Sequence, residues 1–211
     1  MAEGSLTTFV MTEPLPWPDT SSAADTLGPL DDVALYENGQ PRPCTMRRIA
    51  SEGATIRVPN LPASEAQVAI ELATGQRVEG RVEWACGGEA GVRFARPIDM
   101  LALLNRKLVA QAPERRRMPR IEVRCDLILR WSGNMRVVAL RNISAGGLQV
   151  EGDELPPPDT FVTPGTEGLN LPAAVVVWKR DRLAGLELME ELAWSSLMPW
   201  IRSRYLQAAG A

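Results

Sequence analysis

Between Ile121 and Val150 the chain reads IEVRCDLILRWSGNMRVVALRNISAGGLQV. Ile121, Val123, Cys125, Leu127, Leu129 and Trp131 alternate with mostly polar neighbours, the period of a strand with one buried face. SGNM, Ser132 to Met135, supplies a hairpin turn, and RVVAL, Arg136 to Leu140, the returning strand.

This stretch belongs to a unit that occurs twice. Trp84 and Trp178 stand 94 positions apart, and the same offset joins Gly39 to Gly133, Arg42 to Arg136, Arg47 to Arg141 and Ile49 to Ile143. It also joins Gly53 to Gly147, Gly91 to Gly185, and Leu61-Pro62 to Leu155-Pro156. So many coincidences at one offset, with no gap, argue for a duplication. In the first copy ENGQ, Glu37 to Gln40, stands where SGNM stands in the second, and Asn-Gly is a strong hairpin signal. Val68, Ile70 and Leu72 alternate, as do Val78, Val82 and Trp84. Short strands joined by Gly/Pro turns predict a small barrel or sandwich in each copy.

Each copy ends in a helical pattern. In PIDMLALLNRKLVAQ, Ile98, Leu101, Leu104 and Leu108 share a face, and Pro97 suits a first turn. In ELAWSSLMPWIRSRYLQ, Trp194, Leu197, Met198, Ile201 and Tyr205 do the same, while Pro199 is expected to kink the helix or start a new one. These stripes are expected to cover barrel openings rather than to meet partners. Three segments follow: 1–29, rich in Pro, Ser, Thr and Ala and read as mostly disordered; 30–110, the first copy; and 111–211, the second.

Composition narrows the function. The 211 residues carry a formal net charge of −3, which argues against broad DNA binding. The sequence holds no apolar run of about 18 residues, so no membrane span is expected. MAEGSLTTFV lacks the basic flank and apolar core of a secretory signal, so a cytoplasmic protein is expected. The absence of histidine removes Ser-His-Asp and Cys-His nucleophile systems and most zinc sites but leaves carboxylates and lysines, so it does not rule out an enzyme. Cys44, Cys86 and Cys125 match neither zinc nor disulfide spacing and read as small packed side chains.

The remaining anomaly is ERRRMPR, Glu114 to Arg120, with four arginines in seven residues. Arg116 and Arg120 form R-x-x-x-R just before the first strand of the second copy. Asn142, Ser144 and Gly147 form N-x-S-x-x-G just after its hairpin. In this order and spacing the two motifs closely resemble the signature of the PilZ domain family, over residues 114 to about 207. VVVWKRDRLAGLEL, Val175 to Leu188, also looks like that family's last two strands.

The resemblance implies a six-stranded barrel that binds cyclic di-GMP, and with it no enzymatic activity, cofactor or metal is expected. Joined to the duplication, it gives a mainly β fold: two six-stranded PilZ-like β-barrels in tandem, each followed by a C-terminal helix. The ligand residues it implies are Arg115, Arg116, Arg120, Asn142, Ser144, Gly146 and Gly147. In the family the arginine segment folds over a ligand seated on the barrel face that carries the N-x-S-x-x-G turn. An arginine at the place of Arg115 resembles the pattern that accepts two stacked ligand molecules.

The chemistry suits such a ligand, which has two phosphates and two guanines. A guanidinium can bond bidentately to guanine or phosphate, or stack on a base. Asn142 offers a donor and an acceptor, Ser144 a hydroxyl, and Gly147 close backbone approach. Trp178 reads as core rather than as a stacking platform. The first copy has lost the signature: the equivalents of Arg116, Arg120, Asn142 and Ser144 are Ser22, Thr26, Arg48 and Ala50.

The functional expectation is a receptor in which ligand capture orders the linker 109–120, reorients the two barrels and passes the signal to a protein partner that the sequence does not name. Two rivals stand beside it, a ligand-independent adaptor that scaffolds a protein complex and a non-specific anion or RNA binder. Neither needs Asn142 and Ser144.

Overall fold

A computed structural model describes residues 7–11, 31–72, 74–110 and 120–209. The chain divides into two units, Met1–Arg120 and Ile121–Ala211. The first holds strands β1 (Thr8–Val10), β2 (Asp31–Glu37), β3 (Gln40–Ala50), β4 (Gly53–Arg57), β5 (Gln67–Glu71), β6 (Arg77–Cys86) and β7 (Glu89–Phe94), then helix α1 (Met100–Ala110). The second holds β8 (Arg120–Trp131, whose first residue falls at the division), β9 (Asn134–Ile143), β10 (Gly147–Glu151), β11 (Phe161–Gly165), β12 (Ala174–Arg180) and β13 (Leu183–Leu188), then helix α2 (Trp194–Ala209).

In the second unit β8 pairs with β9, β9 with β10, β10 with β13, β13 with β12, β12 with β11, and β11 with β8. All these pairings are antiparallel, and the last one closes a six-stranded barrel. Closure removes the free strand edges that an open sheet would present. The interior is filled by the alternating side chains of Ile121, Leu127, Leu129, Val138, Leu140, Leu148, Val150, Val176 and Leu186, all buried. The β8–β9 hairpin turns on Ser132 and Gly133, both at positive φ (44° and 79°). That turn matches the right-handed twist of its strands, and glycine adopts it without steric cost.

Alternation along β8 fails at one place. Ile121, Glu122 and Val123 are all buried, because the register slips between Glu122 and Cys125, two residues of β8 standing against one of β9. Cys125 is consequently only half-buried.

In the first unit β2 pairs with β3 and β5, β3 with β4, β4 with β7, β5 with β6, and β6 with β7. Strand limits and irregularities recur at the offset of 94: Gly53–Arg57 against Gly147–Glu151, Glu89–Phe94 against Leu183–Leu188, and register slips at Val82/Trp84 and Val176/Trp178. Asn38 and Gly39 take the same positive φ as Ser132 and Gly133.

The reading of residues 1–29 as disordered is corrected over Thr8–Val10. β2 pairs with β3 only as far as Met46, so the backbone of Arg48 and Ile49 lacks a partner on that side. Strand β1 fills the gap in parallel, Thr8 against Arg48 and Phe9 against Ile49. Phe9, Val10 and Met11 are buried, and the Thr7 hydroxyl donates to the Met46 carbonyl at 2.9 Å.

The helices also refine the pattern reading. Asp99, not Pro97, begins α1: its Oδ1 accepts the Ala102 N–H at 2.9 Å, an N-cap. The buried face is Met100, Leu103 and Leu104, with Leu101 half-buried. Helix α2 runs unbroken through Pro199, which lies exposed. The buried side chains of α2 are Leu197, Trp200 and Ile201. Trp200 is fixed by its Nε1–H donating to the Glu167 carbonyl at 2.9 Å. Among the described residues no helix is long and apolar enough to cross a membrane.

Candidate functional site

The expected ligand residues divide between what the structure describes and what it does not. Arg115 and Arg116 lie outside the described residues. Arg120 heads β8 and is half-buried. Asn142, Ser144, Gly146 and Gly147 come together where β9 turns into β10.

That turn is tightly built. Ser144 N–H donates to the Gly147 carbonyl at 2.9 Å, and the Ser144 hydroxyl donates to the same oxygen at 3.3 Å. The carbonyls of Ala145 and Gly146 accept the N–H groups of Leu192 and Leu188 at 2.8 and 2.9 Å, so the turn is pinned to the end of β13 and to the segment that leads into α2. Gly147 proves to have a packing role, because a Cβ there would stand 2.8 Å from the Leu186 carbonyl oxygen. Open space lies instead at Gly146, where an added Cβ would meet nothing within 4 Å.

Asn142 is one member of a row that crosses the outside of the barrel. It stands opposite Glu122 on β8 and Gln149 on β10; Gln149 stands opposite Gly185 on β13, and Gly185 opposite Trp178 on β12. Residues directly opposite in a ladder share a face. The flanking Ile143, Leu148 and Val150 are buried inward, so the row faces outward. Gly185 has no side chain, and the Trp178 indole lies in the space a Cβ would fill. Trp178 is half-buried, packed against its own barrel's outer wall rather than in its interior.

Two members of this row, Gln149 and Glu122, escaped the sequence reading. The Asn142 Nδ2 donates to Gln149 Oε1 across the ladder. This fixes which way the Asn142 amide points, leaving its Oδ1 to accept. Glu122 is buried, an uncommon state for a carboxylate. The only signal for either was its position: Gln149 lies two residues past the motif glycine and Glu122 two past the motif arginine.

The first unit builds the same row differently. Arg48 stands opposite Thr55, Thr55 opposite Gly91, and Gly91 opposite Trp84. Arg48 is 6% exposed and Thr55 2% exposed. The surface that is half-open in the second unit is closed in the first.

Of the three thiols, Cys44 is buried and Cys125 half-buried, whereas Cys86 is exposed rather than packed. Burial pushes Cys44 up to about 11, and burial likewise raises Cys125. Among the described residues no group of His, Cys, Asp and Glu side chains could hold a metal ion.

Neither a protein-family model nor a curated protein sequence matches the chain. Solved structures do. The Borreliella burgdorferi PlzA protein in complex with c-di-GMP aligns over 82% of this chain and 86% of its own, at 8% identity and a TM-score of 0.32. The Bacillus subtilis inhibitor of motility MotI/DgrA aligns over 84% and 97%, at 16% identity and a TM-score of 0.33. The Klebsiella pneumoniae MrkH–c-di-GMP complex aligns over 85% and 87%, at 11% identity and a TM-score of 0.27. Scores this low leave the site to be argued from its own residues.

Proposed function

We propose that this chain is a cyclic di-GMP receptor built as two PilZ-like barrels in tandem, with the ligand held by the second. The observation that carries the reading is the Asn142–Ser144–Gly146 surface: an amide oriented by Gln149, a half-exposed hydroxyl, and an open glycine on a turn pinned to the barrel. That surface adjoins, through β9, the strand that Arg120 heads.

The parts have complementary tasks. Arg115, Arg116 and Arg120 supply cations for the two phosphates and forks for guanine O6 and N7. Asn142 Oδ1 accepts from a guanine N–H, and Ser144 exchanges its weak 3.3 Å internal bond for one to the ligand. The first unit keeps the barrel pattern and lacks the site. It carries Arg48 and Ala50 at the motif positions, and β1 occupies the edge of β3 that β8 occupies on β9.

Ligand capture orders the linker 109–120 and reorients the barrels, and the output passes to a protein partner. On this account the protein works in the cytoplasm, catalyses nothing and makes no broad DNA contact. The test is amide-resonance mapping of the full chain. Cyclic di-GMP is expected to move the signals of Asn142, Ser144, Gly146 and Gly147, and GMP to leave them in place. Shifts confined to the first unit would contradict the assignment.

A further inference from the structure

A different side of the second barrel carries an unexplained apolar face. On its outer wall Met135 stands opposite Arg130, and Arg130 opposite Thr163; in the next row Val137 stands opposite Ile128, and Ile128 opposite Gly165. Phe161, two residues before Thr163, stands opposite Val175. Phe161 is 68% exposed, Val137 65% and Met135 58%. This face lies at the hairpin end of β8, far along the strand from Glu122 and the Asn142 row.

The duplication supplies an internal control. The first unit's equivalents of Met135, Val137, Phe161 and Val175 are Pro41, Pro43, Gln67 and Arg81. Arg81 there is engaged by Glu65 at 2.8 Å and Glu83 at 3.7 Å. The same strands therefore form with polar and ion-paired residues outside, and the scaffold does not require Val175 and Phe161 at these positions. Contiguous exposed apolar side chains on adjacent strands mark contact surfaces.

The chemistry of the occupant follows from two features. Across this face Ile128 to Arg130 of β8 are paired on both sides, with β9 and with β11, so contact here must be made by side chains. Within the face stands one cation, Arg130, exposed, its Nη1 placed 3.6 Å from where a Cβ of Gly165 would lie. Among the described residues no carboxylate pairs with it. An arginine set in an apolar surround gives strong, geometrically specific pairing with a carboxylate once water is excluded.

We propose that this face docks a helical or looped segment of a partner protein in which apolar side chains flank a carboxylate that pairs with Arg130.

The probe is a displayed library of random peptides selected on the full-length chain without nucleotide, so the result does not depend on the cyclic di-GMP reading. Enriched peptides are expected to share an Asp or Glu between apolar residues. A synthetic representative should bind at least tenfold more weakly to Val137→Glu, or to Phe161→Ser should the first variant fail to fold. It should also lose binding to Arg130→Glu and recover it when its acid is replaced by lysine. Several results would overturn the proposal: no enrichment, peptides indifferent to Val137→Glu and Phe161→Ser, or an absent charge swap. Wild-type self-association abolished by Phe161→Ser in sedimentation would make the occupant a second copy, and vesicle binding abolished by it would make the occupant a lipid surface. Either outcome overturns the proposal too.

Discussion

The indole of Trp178 lies over the bare Cα of Gly185, its cross-strand neighbour, in the space where any other residue would place a Cβ. Trp84 and Gly91 stand opposite each other in the first unit. Gly185→Ala must push the ring off the barrel wall or part the strands. The expected cost is about 1–3 kcal/mol of stability, with a red shift in tryptophan emission as the ring gains water. An unchanged melting temperature and spectrum would show that the pair does not hold the wall together.

The Asn142–Gln149 hydrogen bond sets the direction of the Asn142 amide. Gln149→Leu removes that constraint without touching Asn142. Loss of one hydrogen bond's worth of orientation, about 1 kcal/mol, corresponds to roughly fivefold weaker cyclic di-GMP binding. Discrimination against the hypoxanthine analogue, which lacks the guanine amino group, should fall with it. Equal discrimination in wild type and variant would assign Gln149 a packing role only.

Arg116→Ala and Arg120→Ala should each weaken ligand binding tenfold or more, since a charge-assisted contact is worth about 1.5–3 kcal/mol. Arg202→Ala, an exposed site on α2, is the control and should change little. Full affinity in the Arg116→Ala/Arg120→Ala double variant would remove the arginines from the site.

Arg115 is expected to cap a second, stacked ligand molecule. Wild type should saturate at two ligands per chain and Arg115→Ala at one. Saturation of the wild type at one would end the stacking idea and leave the site intact.

Much of this architecture was legible in the residues. Asn38-Gly39 and Ser132-Gly133 announced their hairpins because few residue pairs tolerate consecutive positive φ. The offset of 94 announced paired strands because residues such as Gly91 and Gly185 recur, each opposite a tryptophan in its ladder. What stayed hidden depended on contacts distant in sequence. Strand β1 has three residues and no period of its own; it forms because β3 outruns β2. Gln149 and Glu122 acquire meaning only when the ladder sets them beside Asn142. Gly147 read as room for close backbone approach, and only the fold shows that the Leu186 carbonyl makes such an approach.

The most direct test of the receptor reading is calorimetric titration of the full chain with cyclic di-GMP and with GMP, at physiological salt so that exposed charge attraction is screened. The account predicts saturable heat with cyclic di-GMP, none with GMP at the same concentration, and none with either once Asn142→Ala and Ser144→Ala are combined. Absence of saturable heat in the wild type, or full retention of it in the double variant, would contradict it.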